Sequence, residues 1–219
     1  MDRVWELRPE FVEGLVVTLR LAAGGLLIGG ALGLLIGTGL YVSRTRGILP
    51  SRPVSLGLNV AVNFMRPIPF VLLAIALQPV SRWFGISGIS EGHALVAVVF
   101  GSTFGIARIV EQNLVAVDPG VLEAARAMGA SRARVVWTVL LPEARGSLIL
   151  GFTYALVAIV DMTAIVGIIG VHSLGYVALT YGLRQFDWTV TAVAILVIVV
   201  IVQIGQFAGN AWARRVLRR

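Results

Sequence analysis

The sequence predicts an all-α membrane protein with five transmembrane helices, the N-terminus outside and the C-terminus cytoplasmic. Three observations carry this. The apolar fraction is 58% of 219 residues, above the ~45–50% usual in soluble chains. Charged residues make up only 13%, and five segments approach or reach the ~20 mostly apolar residues needed to cross a ~30 Å hydrocarbon core. The net charge of +7 comes entirely from arginine, gathered in connections that fall on one side if the spans number five. An excess of basic residues marks the cytoplasmic side.

The first span covers about 15–42, with Arg20 near enough to its start to snorkel outward. Its glycines include Gly25-x-x-x-Gly29 and Gly29-x-x-x-Gly33, a spacing that lets a neighbouring helix approach closely. The second span, about 54–80, is interrupted by Arg66-Pro67-Ile68-Pro69. Its two prolines remove backbone donors and break the helix. The third, about 94–110, is short and ends near Arg108. The fourth, about 147–171, contains Asp161. The fifth, about 188–212, has tryptophan at both ends, as an interfacial belt requires. The whole chain, 1–219, reads as one transmembrane domain without a soluble domain, a low-complexity run or an internal repeat. The acidic, polar N-terminal segment does not have the pattern of a cleaved signal peptide.

Arg44, Arg46 and Arg52 follow the first span, Arg126, Arg132, Arg134 and Arg145 follow the third, and Arg214, Arg215, Arg218 and Arg219 close the chain. The opposite side has roughly balanced charge. The connection at about 115–145 is therefore cytoplasmic. Asp118-Pro119 supplies an N-cap and a proline suited to the first helical position. A short helix over Val121–Met128 stops at Gly129, and Ser131 caps a second short helix ending before Leu141-Pro142. Two amphipathic helices at the bilayer edge form either a docking element for a soluble partner or a solvated connector.

Enzyme chemistry has little support. His93 and His172 lie near the outer surface, without the closely spaced carboxylates a metal site needs. With no lysine, a GxxxxGK[ST] phosphate loop is impossible, so a nucleotide could act only through a partner chain. Basic charge confined to membrane connections does not suggest nucleic acid, and the absence of cysteine excludes disulfides and thiolate metal sites. Charges inside spans are costly and mark functional candidates. Arg66, Pro67 and Pro69 line a pathway, or else begin the span at the cytoplasmic interface. Asp161, about fourteen residues into the fourth span, binds a substrate ammonium, pairs with an intramembrane arginine, or stays protonated by desolvation. His172 is a pathway candidate or an interfacial residue.

Glu123-Ala124-Ala125, Gly129 and the later Leu141-Pro142 resemble the EAA loop of bacterial ABC importer permeases. The stretches EAARAMGASRARVVWTVLLPEA, NFMRPIPFVLLA and QFAGNAWARRVLRR are similar to those of the methionine-importer type, from the first span onward. The resemblance implies a type I importer permease fold in the bacterial inner membrane. It also implies a coupling helix whose Glu123, Ala124, Ala125, Met128, Gly129, Leu141 and Pro142 meet an ATPase groove. On that account Ala125→Glu uncouples hydrolysis from uptake. Implied partners are a second copy of the chain, two ATP-binding cassette subunits carrying ATP and Mg, and an extracytoplasmic binding protein. The chain itself then carries no cofactor and catalyses no covalent chemistry.

One stretch departs from that type. Methionine permeases carry a small, Gly-rich run of the character SAMxGAVGxGGLG, where this chain has Thr163-Ala-Ile-Val-Gly-Ile-Ile-Gly-Val-His-Ser-Leu-Gly175 preceded by Asp161. This admits another amino acid or a small amine as substrate. An ion-coupled secondary transporter using Asp161 and Arg66 is the alternative from a different class.

Overall fold

A computed structural model describes residues 2–86 and 88–217; Arg218 and Arg219 of the basic C-terminus lie outside them. After the short α1 (Asp2–Glu6), four helices among the described residues are long and apolar enough to cross a membrane. They are α2 (Arg8–Ser43), α5 (Glu91–Val115), α7 (Arg132–Ile165) and α9 (Trp188–Leu217). Between α2 and α5 lie α3 (Arg52–Met65) and α4 (Phe70–Trp83), bent at 108° to each other. Counted as one broken span, that pair brings the total to five. α6 (Pro119–Ala127) stands between α5 and α7.

The core forms where α2, α5 and α7 meet, around Leu21, Val98, Ile106, Val110, Leu140 and Ile159. Glycine makes the α2–α5 contact possible. A Cβ on Gly33 would lie 2.9 Å from the Thr103 carbonyl oxygen, and one on Gly37 would press on the Ala107 carbonyl. The α2 helix widens over Gly25–Gly29, where the Gly30 N–H reaches the Gly25 carbonyl, five residues back. That carbonyl also accepts the Ser102 hydroxyl of α5 at 3.2 Å.

Several boundaries differ from the sequence reading. The third helix extends beyond the expected 94–110, so Arg108 lies inside it. The fourth span begins far earlier than 147, because the second short helix expected before Leu141-Pro142 is the start of α7. Ser131 does cap it, its Oγ accepting the Arg134 N–H at 3.4 Å. A proline ring crowds the carbonyl four residues back, yet the helix persists through Pro142. Upstream, Val135–Leu140 forms a wide turn in which the Leu141 N–H bonds to the Val136 carbonyl. This bulge absorbs the misfit.

α7 then ends at Ile165, short of the expected 171. The run from Thr163 onward folds back on itself, with Gly170 at φ +98°. It leads into α8 (Leu174–Val177), continued by the turn Ala178–Gly182, a helical segment absent from the sequence reading. Gly167 and Gly175 allow the crossing, because a Cβ on either would collide with backbone of the other arm. The Leu174 N–H donates to Thr18 Oγ1 at 3.0 Å, tying α8 to the first span. His93, at the start of α5, is fully buried within the protein, its Nδ1 2.7 Å from Ser81 Oγ. It joins the end of α4 to the start of α5.

Candidate coupling helix and pathway face

α6 is fixed at both ends by local chemistry. The Asp118 carboxylate accepts the Gly120 N–H at 2.8 Å, and Pro119 opens the helix. At the other end Gly129 takes φ +83°, a left-handed conformation that suits glycine. The following Ala130 N–H bonds back to the Ala125 carbonyl at 3.1 Å. Leu122 and Ala125 turn inward and join the core that includes Val135, Val136 and Leu140. Glu123, Ala124 and Met128 face out, Met128 with 82% of its surface exposed. Gly129 and Pro142 are also exposed, whereas Leu141 packs against the core.

The expected docking residues therefore divide into an outer set and an inner one. Ala125 is 5% exposed, so its small side chain serves packing beneath α6 rather than approach from outside. The spacing explains this. Leu122 and Ala125, three residues apart, share one helical face, and Ala124 lies roughly 100° away from Ala125.

The pathway candidates are not brought together as one cluster. Arg66, Pro67 and Pro69 occupy the bend between α3 and α4, all three exposed. On α7 the exposed Leu150, Tyr154, Ala158 and Asp161 recur at helical spacing and form a stripe along one face. Among the described residues of the single chain Asp161 pairs with no cation.

His172 belongs elsewhere. Its Nδ1 lies 4.0 Å from Glu10 Oε2 and 3.8 Å from Glu13 Oε1, and its ring stacks on Tyr176 with centroids 4.2 Å apart. Glu10, Glu13 and His172 form a group whose ligand atoms lie within 4.8 Å of one another. Sequence spacing gave no sign of it, because the folded-back run after α7 carries His172 to the start of α2. Nearby, desolvation and then the Glu10 carboxylate hold the Tyr181 phenol above its usual range.

A further group escaped the sequence reading. Arg108 and Glu111 form an ion pair inside α5, with only 18% and 16% of their side chains exposed. The Arg108 guanidinium also donates to Asn63 Oδ1 at 2.5 Å and reaches Asn59 Oδ1 at 3.5 Å. The signal was present: Asn59 and Asn63 are one turn apart on α3, and Arg108 and Glu111 are one turn apart on α5.

Residues 36–218 match the family described as the binding-protein-dependent transport system inner membrane component. The chain belongs to that family. It is a multi-pass permease component of an ABC importer, not the ATPase. It is 36% identical over 202 residues to the probable D-methionine transport system permease protein MetI of Vibrio cholerae, covering 92% of this chain and 90% of the relative. It is likewise 36% identical over 171 residues to the methionine import system permease protein MetP of Bacillus subtilis, covering 78% and 77%. A chain from inward-facing structures of the MetNI methionine ABC transporter superposes with a TM-score of 0.92 at 33% identity, covering 96% of this permease and 98% of that chain. A histidine-bound amino-acid ABC transporter, at 22% identity and a TM-score of 0.81, shares the fold. Family membership sets aside the ion-coupled secondary transporter.

Proposed function

We propose that this permease carries methionine across the bacterial inner membrane as the membrane-spanning part of an ATP-driven importer. The observation that carries the reading is the likeness of nearly the whole chain to the MetNI chain, alongside methionine permeases of two distant bacteria. Two copies of the chain enclose the pathway. Two ATP-binding cassette subunits, which hold ATP and Mg, dock beneath α6, and an extracytoplasmic binding protein delivers substrate from outside. The whole chain acts as one transmembrane domain.

The Tyr154–Asp161 face supports the two-copy arrangement. Asp161 lies one turn before the end of α7, and a charge within a membrane span is costly where it faces lipid. A stripe whose Asp161 meets no cation among the described residues is better placed against a second copy or a water-filled path. Arg66 and the bend at Pro67-Ile68-Pro69 serve the same path, since broken helix is tolerated where it meets protein or water. Glu123, Ala124 and Met128 make the outward coupling surface, with Gly129 and Pro142 exposed beside it, while Leu122 and Ala125 pack α6 against Val135, Val136 and Leu140 of α7. ATP-driven closure of the ATPase pair pushes on α6 and, through its packing on Val135–Leu140, on α7.

The test is reconstitution with the cognate ATPase and binding protein in proteoliposomes. Uptake of labelled methionine that requires ATP and the binding protein is expected. A second reading, another amino acid or a small amine, is favoured by Asp161 and by the Ile and Val of the run after Thr163. Preferential uptake of such a compound over methionine would replace the first.

A further inference from the structure

We propose that the groove between α2, α7 and α9 binds one anionic glycerophospholipid of the cytoplasmic leaflet, with an acyl chain along the slot and the phosphate on Arg145. The groove has a volume of about 720 Å³, within the range of roughly 300–1,000 Å³ typical of small-molecule sites. Leu27, Leu34, Phe152 and Leu156 line its walls, and Gly205 and Gly209 let α9 close against α7. Thr153 and Arg145 are the polar side chains bearing on it. The Thr153 hydroxyl is already used, donating to the Ile149 carbonyl at 2.7 Å. Arg145 is exposed and has no carboxylate partner among the described residues.

The placement of that one cation decides the occupant. Arg145 lies in the early part of the membrane stretch of α7, and Trp212 and Val216 come from the end of α9, so all three mark the same end of the slot. This is the arginine-rich, cytoplasmic end. An apolar slot with a guanidinium at its interfacial mouth complements a molecule that is apolar along its length and anionic at one end. Arginine binds phosphate through charge-assisted, often bidentate, hydrogen bonds, and Trp212, 63% exposed, sits where headgroup-level tryptophans gather. Basic pockets between spans on the cytoplasmic side favour anionic lipid headgroups.

A second copy of the chain does not fit this groove. Leu148, Phe152 and Leu156 lie on the side of α7 roughly 180° around its axis from Tyr154, Ala158 and Asp161. The groove thus looks away from the face assigned to the partner copy and the pathway, and towards the bilayer.

The assembled permease–ATPase complex, purified and exchanged into matched-chain phosphatidylglycerol or phosphatidylcholine, tests this by native mass spectrometry of retained lipid. Wild type should retain one phosphatidylglycerol per permease chain in preference to phosphatidylcholine. Arg145→Gln should lower that retention about fivefold, and Ala31→Phe, which fills the slot from an exposed position on α2, should lower it similarly. Arg214→Gln makes the same charge change outside the groove and should leave retention within about twofold of wild type. Four outcomes overturn the proposal: retention unchanged in both groove variants, equal losses in Arg145→Gln and Arg214→Gln, equal retention of the two lipids, or disulfide crosslinking of Ala31→Cys between two copies. The last is read cleanly because the chain has no other cysteine.

Discussion

The guanidinium of Arg108, inside the third long helix, donates to Asn63 Oδ1 of the preceding amphipathic helix at 2.5 Å. With Glu111 as its ion-pair partner, it fastens α3 to α5 below the bend at Arg66–Pro69. This contact fixes one arm of the broken span, and α4 is held separately through Ser81 and His93. Residues 66–69 are therefore the joint between two anchored pieces.

Removing the guanidinium leaves Glu111 half-hidden without its cation and releases Asn59 and Asn63. Arg108→Leu should lower stability by about 3 kcal/mol, seen as a reduced Tm of the purified complex in detergent. Asn63→Leu, which removes a neutral acceptor and leaves the ion pair intact, should cost about 1 kcal/mol. Equal and negligible effects of the two would show that the contact does not hold α3.

Close packing of α2 on α5 gives opposite expectations for two glycines. Gly37→Ala should destabilise by about 1–3 kcal/mol through overpacking against the Ala107 carbonyl and Val110. Nothing lies within 4 Å of a Cβ built on Gly57 in α3. Gly57→Ala should therefore be neutral or stabilise by up to about 1 kcal/mol, as expected for an exposed helical position. Thermal melts of the two variants in parallel check the sign of each.

Asp161 tests the pathway face. Asp161→Asn keeps the shape and removes the charge, so assembly and Tm should stay near wild type while ATP-driven uptake falls by about tenfold. Wild-type uptake in this variant would remove Asp161 from the path and leave it a surface residue of the span.

Much of the fold was legible in the sequence because hydropathy and arginine placement act over whole segments. Trp188 and Trp212 bracketed the fifth span, and Asp118, Pro119 and Gly129 bounded α6 through chemistry that local spacing reveals. The missed features depend on contacts distant in sequence. Pro142 read as a stop, but the wide turn at Val135–Leu140 carries the helix past it. Gly167 and Gly175 lie in the stretch that read as a departure from the family's glycine-rich run, and their role appears only when α7 and α8 cross at backbone distance. His172 meets Glu10 and Glu13 for the same reason, through a chain reversal that no spacing encodes. Ala125 could have been assigned inward from its register with Leu122, since the two share a helical face.

The inward register of Ala125 changes how coupling is best tested. Ala125→Glu would bury a carboxylate beneath α6, so its loss of uptake would mix unfolding with uncoupling. Ala124, exposed on the outer face, separates the two. The most direct measurement of the account is ATP-driven methionine uptake in proteoliposomes by complexes carrying Ala124→Glu, with Tm and ATP hydrolysis recorded on the same preparations. The account predicts a Tm within a few degrees of wild type, hydrolysis that no longer drives transport, and uptake reduced at least about tenfold. Wild-type uptake by Ala124→Glu would contradict the assignment of α6 as the element that couples the ATPase to the spans.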